Sequence, residues 1–333
     1  VFDVPGSNCC VFTCSSNYLL VGTMPTNRFV SDSDDEHGNT EKEKILIHVF
    51  KIDFTAKGKQ LFSSKDTVCT IDQTEVGGTV AMCCTRHEKD EILICATEES
   101  TIVFYTLNST NSNKLKPVYL FKINPHDSEG LYALTATTNG EFLVSSEDQT
   151  VSVWQFVNDQ DTTSKLAVKR KTTLRGHSSP VKKITQHPMN KLNIMTTSDD
   201  GTSRMFNVAL ATAESDPPGH LQSISATEFC FNKQDAQYYI ASSDSDGFLK
   251  FWKPDGVTLI WKVQLKAQSV GMAAITSLKS FRKNIIVGMH STIHIVNVED
   301  GSIRCTCYDF NDWINAVGFN NNKIVAAGDN NTL

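Results

Sequence analysis

Long hydrophobic runs are what this 333-residue sequence most clearly lacks. A membrane-spanning helix needs roughly 18 to 20 consecutive apolar residues, and the longest runs here are pieces such as Ile92-Leu93-Ile94-Cys95-Ala96. Persuasive amphipathic helices are missing too. Lys165 to Leu174 is the one ambiguous stretch, and its β-branched content favours strand. Basic charge is in deficit, with 31 Lys and Arg against 37 Asp and Glu. The net charge of −6 offers nucleic acid or an anionic membrane no overall attraction. Ten cysteines are present, but none has the C-x-x-C spacing of a metal site, and the adjacent pairs Cys9-Cys10 and Cys83-Cys84 cannot supply it. Cys83, Cys84, Cys95, Cys230, Cys305 and Cys307 lie in apolar, strand-like runs. That is the pattern of free buried thiols in a reducing compartment, so the cytosol or nucleus is the expected location. No secretory signal pattern opens the sequence, whose first residue is Val1, and residues beyond its ends are expected. The motifs G-x-x-x-x-G-K-[ST], G-x-S-x-G and H-E-x-x-H are absent. With no catalytic, cofactor or metal constellation in view, a non-catalytic protein is expected.

What is present is a repeat. Asp148-Gln149-Thr150-Val151-Ser152-Val153-Trp154 and Asp246-Gly247-Phe248-Leu249-Lys250-Phe251-Trp252 each run six residues from a turn to a closing aromatic. Asp200-Gly201-Thr202-Ser203-Arg204-Met205-Phe206 replaces the Trp by Phe, and weaker copies close on Phe50, Tyr105 and Val296. Successive closing positions lie 44 to 55 residues apart, a period that means one folded unit stacked many times. Within a unit, short apolar runs alternate with turn residues. Leu131 to Ala136 is a first strand, Asn139-Gly140 a turn and Phe142 to Ser145 a second strand. Asp148-Gln149 turns again, Val151 to Trp154 is a third strand, and Lys165 to Thr173 a polar outer one. Four-stranded antiparallel units follow.

Three copies carry a further signal. His126 follows Pro125, while His177 and His220 follow Gly176 and Gly219, and the three lie 28, 29 and 32 residues before Trp154, Phe206 and Trp252. A His about 30 residues ahead of a turn Asp and a closing Trp resembles the WD-repeat β-propeller, in which His, a strand Ser or Thr, Asp and Trp form a hydrogen-bonded network in each blade. The resemblance implies that His126, Asp148 and Trp154 form one network, with Ser145 or Ser146 as the hydroxyl. His220, Asp246 and Trp252 would form another. His177 and Asp200 would form a shorter one, because Phe206 has no indole N–H. This removes the three His from the catalytic candidates. His290 and His294 fall on one face of a strand at i and i+4, a spacing that makes a ligand pair on a helix and a coincidence in a strand.

The expected fold is thus all-β, a single seven-bladed propeller. Its first six blades cover about 8–65, 78–123, 130–174, 180–215, 223–266 and 271–308. The seventh joins 313–333 to 1–5, since Val1-Phe2-Asp3-Val4 reads as the missing closing strand of the last unit and a shared blade leaves no open sheet edge.

Function should then lie on the surface. Residues 25–44 form an acidic insertion in blade one, carrying Asp32, Asp34, Asp35, Glu36, Glu41 and Glu43, readable as a solvated loop or a docking arm for a basic partner. A basic run contains Lys165, Lys169, Arg170, Lys171, Arg175, Lys182 and Lys183. It either blunts the outer edge of a blade or offers a patch to phosphopeptide or RNA. Trp313 starts the last unit, with Gly130, Pro180, Ser225 and Gly271 at the equivalent positions and Tyr132 and Met272 nearby, an arrangement suited either to blade packing or to a protein-binding hot spot. The expected function is a scaffold subunit binding one or more proteins of a larger intracellular complex. Two rivals come with the resemblance. ER-anchored exchange factors for Sar-type GTPases are propellers with an insertion in blade one, but this sequence lacks their glycine-rich start and ends on no anchor. Propellers that read histone tails or RNA would use the basic run, against the net acidity.

Overall fold

The computed structural model describes residues 7–14, 18–23, 44–51, 67–109, 115–126, 129–160, 166–215, 219–233, 235–266, 274–308, 313–320 and 323–328. Among these residues every regular element is a strand. The first sheet is β1 (Ser7–Phe12), β2 (Tyr18–Thr23), β3 (Leu46–Lys51) and β4 (Thr67–Asp72). The second is β5 (Thr79–His87), β6 (Asp90–Thr97), β7 (Ile102–Ser109) and β8 (Leu115–Ile123), and the third β9 (Leu131–Ala136), β10 (Glu141–Ser146), β11 (Val151–Asn158) and β12 (Leu166–Leu174). The fourth is β13 (Val181–Gln186), β14 (Asn193–Ser198), β15 (Ser203–Asn207) and β16 (Thr212–Ser215). The fifth is β17 (Ile224–Asn232), β18 (Gln237–Asp244), β19 (Phe248–Trp252) and β20 (Leu259–Gln264), and the sixth β21 (Ile275–Phe281), β22 (Asn284–Met289), β23 (Thr292–Asn297) and β24 (Ile303–Cys307). β25 (Ile314–Asn320) and β26 (Lys323–Gly328) make a two-stranded sheet.

Each four-stranded sheet is an antiparallel meander; in the second to sixth sheets consecutive strands are joined by short connections, whereas in the first 22 residues separate β2 from β3 and 15 separate β3 from β4. The first strands β5, β9, β13, β17, β21 and β25 pack against one another in succession, so the sheets stand side by side as blades. That arrangement sets the burial gradient. Second strands are sandwiched between neighbouring blades and buried along most of their length, which is why Leu19-Leu20-Val21, Ile92 to Ala96 and Ile285-Ile286-Val287 are continuous apolar runs rather than alternating ones. Fourth strands face water: β20 and β24 bury none of their residues fully. The core lies between blades, as where Met195 of one blade meets Phe229, Ile240 and Trp252 of the next.

The closing residues have a backbone counterpart that their spacing does not reveal. In all six four-stranded sheets the ladder between third and fourth strands shifts register on reaching Phe50, Tyr105, Trp154, Phe206, Trp252 or Val296. Phe251 pairs with Trp261 and Trp252 with Leu259, leaving Ile260 as the extra residue of a β-bulge. Val68, Leu120, Lys171, Glu214 and Arg304 hold the same place in the other blades. The bulge bends the outer strand around the closing side chain, and all but Trp154 of these six are buried.

The first sheet departs from the expected limits. Its outer strand is Thr67–Asp72, beyond the expected end at residue 65, and its Val68, Cys69 and Ile71 pack on the inter-blade core. The expected pairing of residues 1–5 with the last blade, residues 25–43 of the acidic insertion, and Lys165, Gly271 and Met272 lie outside the described residues.

Candidate interaction face and the networks that hold it

The loops carrying His126, His177 and His220 lie at the same end of the blades as the turns between second and third strands, and side chains tie the two together. In the fifth blade, Trp252 Nε1 donates to Ser242 Oγ at 2.8 Å, Ser242 lies 2.7 Å from His220 Nε2, and His220 Nδ1 lies 2.6 Å from Asp244 Oδ2. An indole only donates, so Ser242 Oγ accepts from Trp252, and His220 links that hydroxyl to the Asp244 carboxylate. Asp244, not Asp246, holds this place. Asp244 ends β18 beside His220 and also receives the amides of Asp246 and Phe248, whereas Asp246 lies two residues further on, in the turn.

In the third blade the hydroxyl is Ser152 rather than Ser145 or Ser146. His126 Nε2 and Trp154 Nε1 both reach Ser152 Oγ, at 2.7 and 2.8 Å, and His126 Nδ1 meets Asp148 Oδ2 at 2.7 Å. The register explains the substitution. Val144 occupies the second-strand position filled by Ser242 in the fifth blade, and its cross-strand partner is Ser152, just as Lys250 is the partner of Ser242. The hydroxyl has crossed the ladder. Ser146 instead accepts the Asp148 amide, and Ser145 the Ala133 amide. In the fourth blade His177 joins Asp200 Oδ2 to Thr196 Oγ1, both at 2.8 Å, and Phe206 offers only a ring, with its centroid 6.2 Å from that of His177.

Burial by itself would raise the pKa of Asp148, Asp200 and Asp244. The hydrogen bonds of His126 and Thr150 on Asp148, of Thr202, Ser178 and His177 on Asp200, and of His220 and Phe248 on Asp244 outweigh it and hold all three below the ordinary carboxylate value. Gly219 precedes His220 for a steric reason: a Cβ there would lie 1.8 Å from the Gly201 carbonyl oxygen, which receives the His220 amide at 2.8 Å.

Three blades hold other pins. In the second, buried Gln73 lies 32 residues before Tyr105, receives Thr79 Oγ1 and donates to Tyr105 Oη at 3.4 Å. In the sixth, buried His294 bridges Thr292 and Thr306 at 3.1 and 3.0 Å, and burial lowers its pKa. His290 sits in the preceding turn with a φ of 41°, so it does not share a strand with His294. His48 takes the corresponding third-strand position in the first blade, half-buried beside Phe50. None of these was legible, since Gln73 breaks the His pattern and His294 carries no spacing signal.

The pinned turns frame a surface. Carbonyls of Gly78, Gly130, Pro180 and Ser223, each just before a first strand, accept the amides of Glu98, Glu147, Asp199 and Ser245. Ser223, not Ser225, is therefore the equivalent of Pro180. Ser225 is the extra residue of the bulge that opens β17, as Lys182 is in β13. Lys182 Nζ lies 3.4 Å above the Tyr132 ring and 3.2 Å from Asp199 Oδ2, and Ser223 Oγ donates to Asp199. One polar chain thus spans three blades. Trp313, half-buried ahead of β25, sets its ring 4.9 Å from His290. Lys169, Arg170 and Lys171 lie away from this face, exposed on outer strand β12. Arg170 donates to the Pro125 carbonyl with its guanidinium 5.1 Å from the Trp154 ring centre, and Lys171 pairs with Glu141.

Residues 117–155 and 168–207 match the family model "WD domain, G-beta repeat". These two stretches are WD repeats. Each match starts in the outer strand of one blade and runs through the third strand of the next, so the WD sequence unit is offset by one strand from the sheet. The six four-stranded antiparallel sheets are consistent with a WD-repeat β-propeller, and WD-repeat proteins generally act as non-catalytic platforms for protein interaction. No curated protein matches the chain.

Proposed function

We propose that this chain is a seven-bladed propeller that binds one or more proteins of a larger assembly through the face bearing Tyr132, Lys182, Pro180 and Trp313. The observation that carries the reading is the chain Tyr132–Lys182–Asp199–Ser223, which presents an aromatic and a charged pair across three blades on a rigid frame. Aromatic anchors on preorganised surfaces dominate interface energy, and the surrounding charges select partners. Packing of β1 against both β25 and β26 supports a closed ring with seven blades. The free thiols of Cys83, Cys95 and Cys230, buried where desolvation raises their pKa, suit a reducing cytosol or nucleus. His126, His177 and His220, three of the nine His, are committed to the networks.

The test compares proteins co-purifying with the wild type and with Lys182→Glu and Trp313→Ala variants, each checked by thermal melting. Specific partners should be lost from both variants with melting changed by no more than a degree or two. An unaltered partner set would overturn the reading. A large loss of stability in Trp313→Ala would place that ring in the core instead.

A further inference from the structure

The opposite end of the blades carries a second feature. Between the fifth and sixth blades lies an open groove of 390 Å³, formed at the β17–β18 and β21–β22 hairpins, away from the networks and from Tyr132. Its apolar wall is Phe231 and Ile260, both more than 40 % exposed, with Tyr239, Phe251 and Val298 beneath. Ile260 is the bulged residue of its strand, so the bulge delivers this side chain to the groove. The cavity is preformed rather than a gap between loose sheets. Trp261 stacks on Phe251 at 5.0 Å and donates Nε1–H to the Val298 carbonyl of the next blade at 2.9 Å. Its ring also lies where a Cβ on Gly301 would come within 3.0 Å, so only glycine lets the blades meet there.

Charge defines the occupant. Lys233, Arg282 and Lys283 line the groove against a single carboxylate, Glu299, on a chain whose net charge is −6. Lys283 and Glu299 pair at 2.6 Å with both side chains largely exposed, a contact of little net worth that a ligand carboxylate can replace. We infer that the groove binds an extended peptide segment of another protein, in which an aromatic or branched aliphatic side chain enters against Phe231 and Ile260 and neighbouring acidic residues meet Lys233, Arg282 and Lys283. A single-stranded nucleic acid would also supply anions, but it needs free aromatic faces for its bases. Here Tyr239 and Phe251 are stacked on each other at 5.5 Å and 8°, Phe251 is covered by Trp261, and Phe231 is the one exposed ring of the wall, tilted against Tyr238 at 5.1 Å, too few for successive bases. This site is independent of the face proposed above.

The test is selection of a random heptapeptide phage library on the full chain, run in parallel on an Arg282→Glu/Lys283→Glu double variant and on Phe231→Ala. All three substituted residues lie at the surface, and unchanged melting temperatures would show that the fold is intact. Sequences enriched on the wild type should combine an apolar anchor with at least two acidic residues. The leading peptide, fluorescein-labelled and measured by anisotropy, should bind the double variant at least tenfold more weakly and Phe231→Ala several-fold more weakly. The inference is overturned if enriched peptides show no acidic bias, if they bind both variants unchanged, or if a 20-nucleotide oligouridylate displaces them from the groove. Loss of partners in Lys182→Glu or Trp313→Ala would not bear on these outcomes.

Discussion

Ser152, Thr196 and Ser242 perform one task from two different strands. Each places a hydroxyl against a His Nε2, and for Ser152 and Ser242 that hydroxyl is also the acceptor of an indole N–H. Because Phe206 fills the closing position in the fourth blade without an N–H, the chain itself indicates what the indole bond adds. Trp252→Phe keeps an aromatic ring in the core but removes one donor to Ser242. It should cost about 1 kcal/mol, the net worth of a hydrogen bond. Trp252→Ala empties a buried site and should cost about 3–5 kcal/mol. Denaturant melts of the two variants check the ordering; equal losses would mean that packing contributes nothing there. At this scale the sequence was partly legible. The closing residues came from the repeat spacing, whereas the network roles of His126, His177, His220, Asp148 and Asp200 were what the WD-repeat resemblance implied. Ser152 for Ser146 and Asp244 for Asp246 came from neither, because both choices depend on which residues face each other across a ladder.

Among elements, the innermost strands of three successive blades share a charge chain. Glu228 on β17 receives Lys279 Nζ, Ser280 Oγ and the Ser280 amide from β21, at 3.0, 3.0 and 3.2 Å. Lys183 on β13 is coupled to the same carboxylate, yet its burial outweighs the attraction and its pKa falls below the ordinary lysine value. Glu228 keeps its other partners without Lys183, whereas removing Glu228 leaves two cations facing each other. Lys183→Met should therefore leave the melting temperature unchanged or raise it, and Glu228→Gln should lower it by several degrees. A drop for Lys183→Met would show that the buried ammonium is a net support. The strands themselves were readable from alternation and turn residues, as in β9 to β12 between Leu131 and Leu174. The outer strand of the first blade was not, because 15 residues separate it from β3 where the other blades have four to seven between third and fourth strands.

For the whole molecule, acid should be the sensitive direction. Asp148, Asp200 and Asp244 have folded-state pKa values below the unfolded value of about 3.9. The stability they contribute is complete above that pH and is lost as pH falls through the lower, folded values. Melting temperature should thus be level near neutrality and fall below about pH 4. Asp244→Asn should start lower at pH 7 and lose less on acidification; a parallel profile would remove Asp244 as a source of acid lability. The repeat in the sequence also foretold stacked blades, but not the bulge opposite every closing residue. That extra residue should govern how the protein behaves in concentrated solution. Outer strands such as β20, with Leu259 and Ile260 exposed, would otherwise offer a straight ladder to the outer strand of another copy. Deleting Ile260 would restore a regular ladder and turn the rim into a polymerisation surface, so a clear solution of wild type and a gel of the deletion at equal concentration is the outcome the bulges imply.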